Sequence, residues 1–359
     1  MLIKSKNAEM LAHVPNIITG CSPLSFGEGP GVRSKKCLFI FFCALTFIKV
    51  NAQSTTGITG VRDTSYNVNN EYQRLLKTYP DAKMIAPPTG AKVVEEKNIF
   101  YCKTAERNLA LDVFCPAKKA NAKRIAILII HGGGWRSGSK DMFHSMAQHL
   151  AARGYVCFTP EYRLSTEALY PAGVYDVKAA TRWVRKNATK YNIDTNKIAI
   201  AGHSAGGELA AMMGATNNIA SFEGGACDLP YSSKVNAVMD LDGLLAFIHP
   251  ESGEGDDSKR TSAATNWFGF SKVDNPELWK QGSPITHVGK HAPPILFINS
   301  NVARMHAGRE DFIKILQEHD IYSEVHFFDA PHSFVSFEPW FTPTIKYMDD
   351  FLKKVFNNK

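Results

Sequence analysis

The chain has 359 residues, of which 44% are apolar and 21% charged, an ordinary balance for a globular protein with room for one large α/β domain or two small ones. Its formal charge of +7 is concentrated at the start: residues 1–52 hold six Lys/Arg and two Glu, leaving 35 basic and 32 acidic residues, a net +3, for the remainder. No Lys/Arg run interleaved with aromatics appears either, which excludes nucleic acid as a partner.

Residues 1–34 are rich in Gly, Pro and Ser and show no periodicity. Lys35-Lys36, the apolar run Cys37–Ile48 and the small residues ending at Ala52 then form the three parts of a secretory signal, whose twelve-residue core is too short to span a bilayer. A signal belongs at the start of a protein, so translation is expected to begin near Val32 or Arg33, and the product is expected to be exported to the periplasm or beyond. The alternative is a short membrane anchor with a cytosolic tail. Residues 53–95 read as an N-terminal extension, with an amphipathic helix at Asn69–Thr78 closed by Pro80 and a loop at Pro87-Pro88 and Gly90.

A domain over 96–359 opens with a hairpin, Tyr101–Thr104 and Leu109–Cys115 around residues 105–108. Strands then alternate with helices. The strands are Ile125–His131, Val156–Pro160, Ile198–Gly202, Val235–Leu241, Ile295–Ser300 and Tyr322–Phe328; the helices are Met142–Arg153, Val174–Tyr191, Gly206–Met213, Gly308–His319 and Pro343–Phe356. Such alternation builds a mainly parallel α/β sheet with helices on both faces, and a ligand is expected at the carboxyl ends of its strands. His131–Gly134, Ser204 and Asp242 all fall there.

The longest interruption, 244–291, has two readings: a lid or substrate wall presenting Trp267, Phe268, Phe270 and Trp279, or helices packed on the sheet with those rings buried. Its acidic piece, Glu251–Asp257, lacks the D-x-D-x-D-G spacing of a calcium loop and reads as solvated. No cysteine spacing suits a metal. Cys21, Cys37 and Cys43 lie in the leader; of Cys102, Cys115, Cys157 and Cys227, Cys157 sits in an apolar strand pattern, and no bridge is assigned.

Two stretches carry chemistry. Ile198–Gly207 is a strand breaking into Gly202-His203-Ser204-Ala205-Gly206, an elbow whose glycines let strand and helix approach closely around an exposed serine. A serine hydroxyl is a poor nucleophile and needs a base within reach and donors for a developing oxyanion. Upstream, the apolar run Arg124–Ile130 ends in His131-Gly132-Gly133-Gly134-Trp135, where consecutive glycines uncover the backbone N–H groups that such an oxyanion requires.

HGGGW followed about seventy residues later by GHSAGG resembles the α/β-hydrolase superfamily, specifically carboxylesterases of the hormone-sensitive-lipase type and the related bacterial feruloyl and acetyl esterases. Glu161–Leu164, Asp176–Val184, Ala292–Phe297 and Pro331–Phe334 match as well, so the resemblance covers about residues 96–359. It implies an α/β-hydrolase fold, Ser204 as nucleophile, His332 as base, and the N–H groups of Gly133, Gly134 and Ala205 as oxyanion hole. It also implies an acyl-enzyme route with no metal or cofactor. The expected substrate is a small-molecule or polysaccharide ester, with acetyl or feruloyl groups on plant-type polysaccharide foremost. A serine exopeptidase and a catalytically impaired homologue are the alternatives.

In this fold the acid and then the histidine follow the nucleophile in sequence, and His332 lies past an alternating strand to which His326 belongs. His131 and His203 read as loop-holding. The acid departs from the family, because Ala303 stands where the usual carboxylate would, and an alanine cannot orient an imidazole. Asp242, at the tip of the strand next to the nucleophile strand, is the expected replacement, followed by Glu310 or Asp311 and then Asp240.

Overall fold

The protein was analysed as a computed structural model that describes residues 52–90, 92–118, 120–225 and 227–357. The expected leader at 1–34, and all of the signal segment but Ala52, lie outside the described residues.

Strand-length apolar runs separated by helical patterns leave little choice but a sheet covered on both faces, and an eight-stranded sheet is found. Its strands are β1 (Val93–Lys103), β2 (Asn108–Pro116), β3 (Arg124–Ile130), β4 (Val156–Pro160), β5 (Ile193–His203), β6 (Ala237–Leu241), β7 (Ile295–Asn299) and β8 (Ser323–Phe327). They lie in the order β1-β2-β4-β3-β5-β6-β7-β8. The pairs β1–β2 and β2–β4 are antiparallel and the rest are parallel.

Alternate residues of a buried strand face opposite layers. Ala126, Leu128 and Ile130 of β3 accordingly join the core under α3 (Ala172–Lys186) and α4 (Ala205–Ala215), while Ile127 and Ile129 join the core under α2 (His144–Ala152) and α8 (Phe341–Asn357). Every residue of α4 is buried, which explains its run of Ala, Gly, Leu and Met. Fold, strand order and element sequence are those of an α/β-hydrolase.

Three local features depart from the sequence reading. The first strand starts at Val93 rather than near residue 101, ahead of the expected boundary at 96; shifts in register between Glu96 and Ile99 and between Phe100 and Cys102 break the two-residue alternation that would have revealed it. Cys102 and Cys227 form a disulfide across 125 residues of sequence, a pairing that no spacing rule among four cysteines selects. In the insertion, α5 (Ala263–Phe268) and α6 (Pro276–Gln281) bury Trp267, Phe268 and Trp279, at most 1% exposed, so these rings are core, while Phe270 lines a cavity.

The extension does not stand apart. Ser54 N–H donates to Gly269 O at 2.6 Å, Gly60 N–H to Thr166 O at 2.9 Å, and Tyr66 N–H to Ser137 Oγ at 2.9 Å, while Asp63 O accepts from Gly138 N–H at 3.0 Å. Residues 53–66 therefore run as a strap over the glycine loop and the insertion. Beyond it, α1 (Val68–Leu75) packs Leu75 against Ala82 and Phe337. No helix among the described residues is long and apolar enough to cross a membrane.

Candidate active site

Strand β5 ends at His203, helix α4 starts at Ala205, and Ser204 between them is forced to φ 58° and ψ −123°. A non-glycine residue in that region costs on the order of 1–3 kcal/mol, which the surroundings must offset. They do so through close approach: a Cβ on Gly202 would lie 1.9 Å from Gly206 O, and one on Gly206 would lie 2.1 Å from Ile130 O, so no other residue permits this crossing of strand and helix. Ser204 N–H is anchored on Leu241 O at 3.0 Å and its carbonyl accepts from Glu208 N–H at 3.0 Å.

The glycine loop after β3 folds back over this elbow. A Cβ on Gly132 would come within 3.1 Å of Ser204 Cβ. Gly133 and Gly134 hold φ of 113° and 59°, and Gly133 O accepts from Ser137 N–H at 3.0 Å, closing a tight turn. Among the described residues no hydrogen bond uses the N–H of Gly133, Gly134 or Ala205. Trp135 fixes the loop from behind: its indole N–H donates to Glu208 Oε2 at 2.9 Å and its ring stacks on Trp267 at 4.8 Å.

Asp242 and His332 come together at the carboxyl edge. His332 Nδ1 lies 2.9 Å from Asp242 Oδ2, and the Asp242 side chain is fully buried. Asp242 Oδ1 accepts from Ser300 N–H at 2.7 Å, and the Ser300 hydroxyl bonds Oδ2. Burial alone would raise the Asp242 carboxyl, but the imidazole and the Ser300 bonds outweigh it and hold the group below the usual carboxylate range. The carboxylate is therefore ionised where it meets the ring. Glu310 and Asp311 do not take part: Glu310 pairs with Arg309, and Asp311 lies 3.7 Å from His249. Ala303 sits in a short turn, Ala303–His306, after β7.

Ser300, whose two bonds fix the carboxylate, is the residue that sequence reasoning missed. Small polar residues at strand ends are common, and its role follows only from the register that sets Leu241 beside Ile298.

Asp240, two residues before Asp242, accepts from Gly243 N–H at 2.6 Å and shares the apolar interior with Glu208; burial pushes both carboxyls well above their ordinary values. The two flanking histidines are structural in their contacts. His131 stacks on Tyr162 at 4.5 Å and is pushed down to about 4 by burial. His203 donates through Nε2 to His332 O at 2.6 Å, its ring lies tilted against the His332 ring at 4.5 Å, and it is pushed down to about 3 by burial and the neighbouring imidazole. Asp112, Asp141 and His144 are close enough to hold a cation, but Lys140 Nζ already sits 2.7 Å from Asp112 Oδ2 and supplies the positive charge.

A family profile described as BD-FAE matches residues 111–305, more than half of the chain, including the glycine loop, the elbow and Asp242. The chain belongs to the BD-FAE family. This BD-FAE chain is 31% identical over 238 residues to Esterase LipC of Mycobacterium tuberculosis, covering 62% of this chain and 56% of that protein. It spans about half the length of the curated relatives it matches. Among solved structures, a truncated carbohydrate esterase from gut microbiota is similar with a TM-score of 0.64 and 27% identity, over 76% of this chain and 99% of that one. The Thermogutta terrifontis esterase Est2 is similar with a TM-score of 0.59 and 27% identity, over 76% of this chain and 96% of that one.

Proposed function

We propose that the protein is an exported serine carboxylesterase that releases acetyl or feruloyl groups from plant-type polysaccharide through an acyl-enzyme. The observation that carries this reading is the buried, ionised Asp242 bound to His332, whose carbonyl accepts from His203, the residue that precedes Ser204 in its strained elbow. With Nδ1 committed to Asp242, Nε2 of His332 is left to take the Ser204 proton as Oγ adds to the ester carbonyl. The oxyanion is received by the N–H groups of Gly133, Gly134 and Ala205. The imidazolium returns its proton to the departing alcohol, and water, deprotonated by the same nitrogen, then adds to the acyl-enzyme and frees Ser204. Asp242 keeps one tautomer and stabilises the imidazolium throughout, which makes up for Ala303.

Support for the substrate class comes from membership of the BD-FAE family and from similarity to a structure described as a carbohydrate esterase. The motifs HGGGW and GHSAGG support the hormone-sensitive-lipase type. Export is supported by the signal-like segment 35–52 and by the Cys102–Cys227 disulfide, a bond that persists in oxidising compartments.

Turnover of p-nitrophenyl acetate by the purified protein tests the reaction, with Ser204→Ala expected to reduce it to background. Retention of a few per cent by Ser204→Ala would move the nucleophile elsewhere, and hydrolysis of an aminoacyl p-nitroanilide in place of the ester would make the protein a peptidase. Acetylated xylan, acetylated pectin and feruloylated oligosaccharide then separate the polysaccharide substrates.

A further inference from the structure

A cavity of about 620 Å³ lies between the strap and the insertion, within the roughly 300–1,000 Å³ typical of small-molecule sites. Its walls include Ser54 and Thr56 of the strap, Thr265 and Asn266 of α5, Phe270 and Arg136. Helix α5 connects this space to the catalytic loop: a Cβ on Gly134 would lie 3.0 Å from Ala263 Cβ, and Asn266 follows three residues later on the same side of the helix. Hydroxyls, an amide and one aromatic ring are the groups that receive a sugar.

Arg136 gives the cavity its sign. It is half-buried two residues beyond Gly134, yet it forms no ion pair with a carboxylate among the described residues, and its guanidinium makes a single long bond, 3.5 Å to Gly57 O. The carboxylates nearby are occupied as local acceptors. Asp63, whose carboxyl is lowered chiefly by its Ser65 bonds and in small part by the Arg136 charge, accepts from Ser65 N–H at 2.8 Å and Ser137 Oγ at 3.1 Å; Asp274, itself in the cavity wall, accepts from Ser271 Oγ at 2.6 Å; and Asp257 accepts from Ser262 N–H at 2.7 Å and Thr265 Oγ1 at 2.9 Å. Lys259 and Arg260, both exposed and without an ion pair among the described residues, precede the lining residue Thr261, and Lys272, whose ammonium lies 5.6 Å over the Trp279 ring, follows the lining residue Ser271. A guanidinium fork with no carboxylate in hydrogen-bond contact among the described residues suits a planar anion.

We propose that this cavity receives a carboxylate-bearing sugar, a uronate unit of the esterified chain, and that Arg136 is the residue that selects it. The ester bond then falls at Ser204 while the acidic sugar occupies the space between strap and insertion. The kinetic part of the test rests on the ester-hydrolase reading above; the binding part does not.

Unesterified oligogalacturonate titrated calorimetrically into the wild-type protein is expected to bind at least about tenfold more tightly than a xylo-oligosaccharide of equal length. Arg136→Gln removes that difference, and added salt weakens the acidic ligand alone. In turnover, R136Q lowers kcat/KM for acetylated oligogalacturonate at least about tenfold more than for acetylated xylo-oligosaccharide. Equal affinity of the wild type for the two ligands, or an equal loss on both substrates in R136Q, overturns the uronate site. A preserved binding preference without any ester turnover would instead overturn the esterase reading and leave the uronate site standing.

Discussion

Asp242 binds His332 with one carboxylate oxygen and is itself gripped by Ser300, so the imidazole inherits its orientation from a strand end one position away in the sheet. Asp242→Asn is expected to lose roughly three to four orders of magnitude in kcat, by analogy with the loss on removing the acid of a serine protease. Ser300→Ala, which removes only the hydroxyl bond, should cost about tenfold, and Glu310→Gln and Asp311→Asn less than tenfold. Steady-state kinetics on an aryl ester decide among them, and a collapse in either helix variant would transfer the acid to α7 (Arg309–Glu318). Glu208 makes a different forecast. Its folded carboxyl is raised, so the unfolded chain releases a proton that the folded chain keeps, and stability is lost as pH rises above the ordinary carboxylate value. Glu208→Gln keeps an acceptor for Trp135 without the ionisable group. Its gain in unfolding free energy over wild type, read from denaturant titrations, should therefore grow from pH 5 to pH 8, by up to about 1.4 kcal/mol per pH unit; a gain independent of pH would mean that Glu208 is ionised in the fold.

At the scale of elements, the glycine loop and the elbow were readable because their demands are local. A glycine at φ 113° whose Cβ would strike Ser137 O at 1.8 Å leaves a mark in sequence, and so does a serine between two glycines, one pressed on the following helix and the other on a neighbouring strand. Gly133→Ala should thus lower kcat by at least 10²–10³, the worth of one oxyanion donor, with KM for a short ester changed much less; an unchanged kcat would exclude the loop from the hole. The acid was half legible. Ala303 showed that the usual position was empty, and Asp242 stood at a strand tip, but the bond that joins Asp242 to His332 spans 90 residues and depends on the order of β6, β7 and β8. Strand β1 was the least legible element, since an edge strand with one wet face and two register shifts has no clean period. The aromatics of the insertion could not be sorted in advance, because buried and cavity-lining rings share one composition and differ only in what packs over them.

Over the whole molecule, the Cys102–Cys227 disulfide ties the antiparallel edge of the sheet to the loop beyond α4, closing 125 residues of chain. Cross-links of such length restrict the unfolded ensemble most, so Cys102→Ser or reduction should cost about 2–5 kcal/mol, read as a lowered denaturation midpoint while turnover of a small ester persists. The strap, the insertion and the glycine loop meet only in the finished fold, which is why no single stretch of sequence announced the cavity between them. A chain beginning at Gln53 holds four cysteines, and the two outside the bridge are poor nucleophiles: the half-buried Cys115 is pushed up to about 11 by burial and Glu96, and the buried Cys157 well above its ordinary value. They lie on β2 and β4, where Phe114 pairs with Cys157 in the antiparallel half of the sheet. In a folded chain of that span a thiol-reactive dye therefore meets almost no thiolate, and its rate of colour development in mild denaturant becomes a clock for the parting of those two strands, readable without any substrate at all.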